Sequence, residues 1–415
     1  MSGLDRERVL QFIQECYLDD SAFYRNCLGG APTLYAACYA LLTRYYLGEL
    51  DRRRPDASAL ATLNRILDCQ EEATGCFIGP ELEQWSPPSG SIFDREHLIM
   101  HQTTTVLSCL ETFDRPPKFT LRFAHRFTDL KQLEKWFQER DWSDPWLEGN
   151  NLLFVLQLLV YLRDVERIAG AEDSLQYFFS LLDRLVDPST GLWGTDRGGS
   201  IPGGVYGGYH QLLAYYYEHH QVMHPERLVD SVLSLQHVDG GFALRGGGGA
   251  CEDVDAIDIL VNLYKLRDYR RPQIRVALRR CLPHLYRQQV SDGGFLYRRN
   301  AVFHHMTIPD TRSEKNQSNM FSTWFRVHTL ALIAEVLTDD ASLAELEFRF
   351  NPRLSMGWHR AWNRDEHRLT ASDREDERKY ESSEFVLWTK SMWRMARFAG
   401  GRLKHKMFLA NRQSS

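Results

Sequence analysis

The segment LSLQHVDGGF, residues 233–242, ends an amphipathic run with a glutamine, a Gly-Gly turn and an aromatic, and the same succession returns along the chain. CQEEATGCF ends at Phe77, LVDPSTGLW at Trp193 and QQVSDGGF at Phe295. From Trp193 the aromatics are spaced by 49 and 53 residues, and the 116 residues from Phe77 to Trp193 leave room for a diverged turn, RDWSDPW, around Trp142. A fixed period of this length marks a stacked array of supersecondary units. Each turn separates an amphipathic segment from a more apolar one. The amphipathic segments fall near 4–17, 57–70, 130–141, 172–186, 226–237 and 274–289. The apolar ones fall near 33–47, 98–113, 148–165, 203–220, 252–266 and 318–338. Period-2 alternation of β-branched residues is nearly absent, so the chain reads as all-α.

Six helix pairs cannot each bury their apolar faces alone, and closing them into a ring removes the exposed ends. The expected architecture is therefore an (α/α)6 toroid over residues 1–340, with the apolar helices inside. Residues 341–415 form a charged segment followed by FVLWTKSMWRMARFAGG, an aromatic and basic helix that extends or caps the ring. Trp388, Trp393 and Phe398 alternate there with Lys390, Arg394 and Arg397, the pattern of a peripheral membrane or partner contact.

Composition limits the functions open to the chain. A net charge of −5 over 415 residues, with basic residues dispersed, gives no electrostatic footprint for nucleic acid. The eight cysteines show no CxxC spacing and read as reduced thiols. The charged start MSGLDRERVLQFIQ is not a signal peptide, and no window is apolar enough to span a membrane, so a cytoplasmic location is expected.

Behind the turn at Phe242 lie Glu252, Asp253, Asp255 and Asp258. Asp255, Asp258 and Asn262 share one helical face at i, i+3 and i+7, opposite the apolar Val254, Ile257 and Val261. Acids in a first turn also complement the helix dipole, so capping is an equal reading of the run. Other apolar helices carry polar groups near their starts: His101 and Gln102, Asn150 and Asn151, Tyr206, Tyr209 and His210, then Asn319, Trp324 and Arg326. In a closed ring these ends converge on one mouth, the natural site of a toroid. The loop NAVFHHMTIPDTRSEKNQS, with His304 and His305, could cover it as a lid.

The turn LSLQHVDGGF and its partner LYRQQVSDGGF resemble the glutamine-aromatic repeats of the terpenoid cyclase and prenyltransferase toroids. GGFALRGGGGACEDVDAIDIL is similar to the region of squalene–hopene cyclases that places an acidic motif on an inner helix. That resemblance implies protonation-initiated cyclisation of an isoprenoid, with Asp255 as general acid and Asp253 and Asp258 tuning it. The polar groups that converge on the mouth are the expected substrate contacts: His101, Asn150, Asn151, Tyr206, Tyr209, His210, Asn262, Asn319, Trp324 and Arg326. Ala256 stands where the family has its last Asp. Cys251-Glu252-Asp253 reverses the zinc-binding order of protein prenyltransferases, so no metal ligand is assigned. No cofactor is implied beyond Mg2+ for a diphosphate substrate, and a partner subunit would complete an open cavity. Two other functions fit the same ring. A carbohydrate-active α/α-barrel lyase or hydrolase suits the polar mouth, and a non-catalytic toroid would serve as a scaffold.

Overall fold

The computed structural model describes residues 3–83, 85–343, 346–360 and 374–381. The expected aromatic and basic helix near the C-terminus lies outside these residues. Twelve long helices of the described chain alternate between amphipathic and mostly buried. The amphipathic ones are α1 (Arg6–Glu15), α3 (Ala57–Asp68), α6 (Leu130–Gln138), α8 (Ala171–Asp183), α10 (Pro225–Leu233) and α12 (Arg271–Tyr286). The buried ones are α2 (Leu34–Tyr46), α5 (Arg95–Thr112), α7 (Pro145–Tyr161), α9 (Ile201–Tyr217), α11 (Ala250–Leu266) and α13 (Met320–Val336). A one-turn helix, α4 (Pro80–Glu83), lies between α3 and α5.

The buried helices pack in the order α2, α5, α7, α9, α11, α13 and back to α2, so the ring closes on itself. The fold is an all-α toroid of six helix pairs. Helices with apolar residues on every side must be surrounded by protein; every residue of α2 is buried, whereas α1 buries only Val9, Phe12 and Ile13. A small antiparallel sheet, β1 (Tyr17–Leu18), β2 (Phe23–Arg25) and β3 (Pro32–Thr33), joins α1 to α2 in the order β1-β2-β3, with Tyr17 opposite Tyr24 and Tyr24 opposite Thr33.

The recurring glutamines fasten one pair to the next. Gln236 Nε2 donates to Gly240 O in its own turn at 3.1 Å and to Ala277 O on α12 at 2.7 Å. Gln70 Nε2 donates to Gly75 O and Phe119 O, and Gln70 Oε1 accepts from Phe119 N. Gln289 Nε2 donates to Gly293 O and to Asp5 O, and its Oε1 accepts from Asp5 N. Asp5 is the N-cap of α1, so this last glutamine seals the seam between the final repeat and the first.

The turn aromatics are held from the inner helix that follows. Phe77 N donates to Thr103 Oγ1, Phe295 N to Thr323 Oγ1, and Phe242 N to Asp253 Oδ1, at 2.7–3.1 Å. Thr103, Asp253 and Thr323 therefore occupy equivalent positions on α5, α11 and α13.

Past the ring, residues 346–360 return across the end formed by the C-termini of the inner helices. Arg349 N donates to Tyr46 O, Tyr46 Oη to Gly357 O, and Thr112 Oγ1 to Asn351 Oδ1. Residues 374–381, within the stretch read as charged surface, are helical, and their Glu377 accepts from Arg275 and Arg279 on α12 at 2.9 and 2.7 Å.

Candidate functional site

A cavity of about 300 Å³ opens at the N-terminal ends of the inner helices. The side chains that reach it come as i, i+4 pairs: His97 and His101 from α5, Trp146 and Asn150 from α7, Cys251 and Asp255 from α11, and Phe321 and Phe325 from α13. His210 of α9 joins them, four residues after Tyr206. Residues four apart stand one above the other on a helix face, so α5, α7, α11 and α13 each contribute an upper and a lower residue to the wall. The loop residues Phe303, His304, His305, Met306 and Thr307 form the roof, and Met356 approaches from the opposite side. The roof is pinned by a two-way bond between Phe303 and Ser313 and by His305 N donating to Thr311 Oγ1 at 3.0 Å.

The acidic run of α11 divides into separate jobs. Glu252 closes a capping box, accepting Gly249 N–H, and is bridged by Arg298 at 2.6 Å. Asp253 is fully buried in a brace: it accepts from Phe242 N, from His284 Nε2 at 3.1 Å and from Arg326, whose Nη2 also holds Gly248 O and Tyr297 O at 2.9 Å. Burial alone would raise its pKa, but the Arg326 charge and the His284 contact outweigh it and hold Asp253 at about 2. Asp253 and Arg326 are spent on each other and on the backbone.

Asp255 faces the cavity, is 1 % exposed, and neither of its oxygens has a partner among the described residues. Burial pushes its pKa well above the usual carboxylate range, and the charges of Glu252, Asp258 and Asp253 push the same way. That shift favours its protonated form, the one able to donate a proton. Asp258 lies deeper, beyond the cavity wall; burial lifts it to about 8, partly opposed by Asn262 Nδ2, which donates to it at 3.0 Å.

The imidazoles are the bases of the site. Glu148 accepts from Asp141 N and Arg140, and Asn151 Nδ2 donates to it at 2.8 Å. That orients the Asn151 amide, so its Oδ1 accepts from His97 Nδ1 at 2.8 Å. The His97 proton is thereby placed on Nδ1, and Nε2 carries a lone pair with no partner among the described residues. Burial lowers the His97 pKa, with the Asn151 bond opposing. His210 Nδ1 donates to Tyr206 O at 2.8 Å, which frees its Nε2 in the same way, and burial lowers it to about 4. His101 Nδ1 lies 3.1 Å from Tyr35 Oη, and His305 stacks edge-on against His101 at 5.0 Å.

Of the residues assigned from the sequence, the cavity gathers Asp255, His101, Asn150 and His210. The others lie in the frame around it. Asn151 orients His97; Tyr206 Oη donates to Phe242 O in the turn; Asn319 caps α13 by accepting from Ser322 N. Tyr209 and Asn262 are buried below the cavity, and Trp324 stacks on Tyr39 at 4.9 Å. Sequence reasoning missed His97, Trp146, Cys251, Phe321 and Phe325. His97 was outside the expected helix, whose observed start at Arg95 is capped by Asp94 accepting from His97 N. The i, i+4 spacing of His97 with His101 was the signal that would have found it.

No family model and no curated protein sequence matches the chain. Among solved structures it is similar to a polysaccharide lyase, over 81 % of this chain and 98 % of that one, at 12 % identity and a TM-score of 0.43. It is likewise similar to a glycosyl hydrolase family 88 protein from Bacteroides vulgatus, over 80 % of this chain and 99 % of that one, at 12 % identity and a TM-score of 0.42. The expected terpenoid cyclase resemblance, with its isoprenoid substrate, is corrected: these similarities fall on a lyase and a hydrolase of carbohydrates. The cavity itself argues the same way. His97, His101, His210, His304, His305 and Asn150 give it polar groups in number, which a hydrocarbon chain does not use and a sugar does.

Proposed function

We propose that the protein is a carbohydrate-active enzyme that breaks a glycosidic bond by acid–base catalysis. The observation that carries this reading is a buried carboxyl, Asp255, with neither oxygen partnered among the described residues, in the same cavity as an imidazole whose proton is fixed on the far nitrogen. Asp255 would give its proton to the glycosidic oxygen as the bond from that oxygen to carbon breaks. His97 Nε2 would take a proton, either from a water attacking the sugar or from a ring carbon in an elimination. The two transfers leave Asp255 as a carboxylate and His97 as an imidazolium, and exchange with solvent restores both. Support for a sugar in the cavity comes from the mixture of its walls. Asn150 and the imidazoles offer hydrogen bonds, while Trp146 and the stacked rings of Tyr297 and Phe303, 4.4 Å apart, offer flat apolar surfaces. Sugars present both kinds of face.

The test is turnover of a panel of glycans by the full chain, read as new reducing ends. An unsaturated product ring, detected by its ultraviolet absorbance, would mark a lyase, and its absence a hydrolase. Turnover of no glycan, or an Asp255→Asn protein as active as the wild type, would reject the proposal.

A further inference from the structure

We infer that the cavity is a blind pocket for the uncharged end of a glycan chain, and that Met356 is the residue that sets how far the chain enters. This inference rests on the glycan reading above and gives it a substrate class; an uncharged sugar has no carboxyl group to acidify a ring C–H, so of the two routes above it takes hydrolysis. A ring of helices is open at both ends unless something fills one of them. The cavity occupies the N-terminal end, and the segment 346–360 fills the other. Its fastenings reach the last turns of separate inner helices: Tyr46 of α2 donates to Gly357 O at 2.9 Å, Thr112 of α5 donates to Asn351 at 2.8 Å, and Trp358 packs edge-on against Tyr217 of α9 at 5.1 Å. Asn351 Nδ2 then donates to Ser355 Oγ and Met356 O at 2.7 and 2.9 Å, which folds the segment into a tight knot. Gly357 sits at φ +80, and a Cβ there would lie 2.0 Å from Tyr46 Oη, so the knot presses against the ring with no space for a side chain. From its centre Met356 projects to the cavity floor and is only 5 % exposed.

Depth and charge then define what fits. About 300 Å³ lies at the low end of the range for small-molecule sites, roughly 300–1,000 Å³. With the far end filled, a polymer cannot thread through and must enter by its terminus. The lining among the described residues includes no lysine or arginine, and burial keeps the imidazoles of His210 and His305 neutral. A uronate carboxylate would meet the carboxyls of Asp144 and Asp255 in a lining without lysine or arginine, whereas the hydroxyls of a neutral sugar can exchange their hydration for hydrogen bonds to Asn150 and the imidazoles.

The test uses ladders of neutral oligosaccharides with the full-length wild type, Met356→Ala and Met356→Leu, following product size from the earliest time points. The wild type and Met356→Leu should release a single short product from chain ends, and Met356→Ala should shift that product to a longer one. Capping either terminus with a bulky fluorophore separately tests the wild type alone, and one of the two caps should abolish turnover. Fragments of mixed length from the start, turnover with both capped ladders, an unchanged product from folded Met356→Ala, or a preference for uronate chains would overturn the inference while leaving the glycan reading intact. Turnover of no glycan at all would overturn both.

Discussion

A buried carboxyl can be an acid or a counter-ion, and on α11 two residues of one run go opposite ways because their neighbours differ. Asp253 meets Arg326 and His284 and is held at about 2; Asp255 meets only other acids and is pushed upward. Asp255→Asn keeps the shape of the protonated acid but cannot give up a proton, so turnover should fall about 10²–10⁴-fold while the urea midpoint stays close to that of the wild type. Activity requires Asp255 protonated and His97 neutral. It should therefore fall at alkaline pH as Asp255 ionises, and at acid pH as His97 protonates, the acid limb lying below the ordinary imidazole range. A pH–rate profile without that alkaline loss would count against Asp255 as the donor. Asp258 makes a separate stability prediction. Its folded pKa of about 8 exceeds the unfolded value of about 3.9, so between these limits only the folded state keeps the proton. Its contribution is full below the unfolded value and is lost as pH rises toward 8, by at most about 1.4 kcal/mol per pH unit. Urea unfolding at pH 5 and pH 8 should show this loss in the wild type and a smaller one in Asp258→Asn. Helical spacing made the stripe Asp255, Asp258, Asn262 legible, but not its division between cavity and core. That division depends on how deep each residue sits along the ring axis, just as the role of Asp253 depends on Arg326 and His284 arriving from other helices.

At the scale of the element, the helices were legible because each obeys a local rule. The outer ones are amphipathic and the inner ones richer in apolar residues and mostly buried, and the observed boundaries differ from those read in the sequence by a few residues at most helix ends. The turn repeat was legible for the same reason, since its glutamine, glycine and aromatic lie within one short segment. The partners of the glutamine were not, because Ala277, Phe119 and Asp5 come from the next pair. Gln289 exchanges bonds with Asp5 across the only seam not covered by chain continuity. Gln289→Ala leaves the Asp5 backbone groups and Gly293 O to bond water instead, and should lower stability by about 0.5–1.5 kcal/mol, measured by urea unfolding. Gly293→Ala and Gly240→Ala meet the same obstacle: both glycines have φ above +90, and a Cβ at Gly293 would lie 2.0 Å from Arg8 O while one at Gly240 would lie 2.2 Å from Arg280 O. The two should therefore be comparably destabilising, and a tolerated alanine at either would show that the turn does not pack on its neighbour as described.

Across the whole molecule, the feature that composition and periodicity did not reveal is the segment that fills the ring's far end. NPRLSMGWH, residues 351–359, has no helical or strand period, and its hydrogen bonds lead to helices that are distant in sequence. What shapes it is contact with the ring, and that contact can be tested as a coupling between two residues more than three hundred positions apart. Tyr46→Phe removes the bond to Gly357 O and should cost about 0.5–1.5 kcal/mol. Gly357→Ala places a methyl at a left-handed backbone position and against the Tyr46 hydroxyl, so it should cost more than the roughly 1 kcal/mol of strain alone. In the double variant the hydroxyl that the methyl would strike is gone. Its loss should therefore be smaller than the sum of the single losses, by about 0.5–3 kcal/mol, the range for residues in contact. Additive losses in urea unfolding would mean that Gly357 does not rest on Tyr46, and the floor that carries Met356 would then lack its main support from α2.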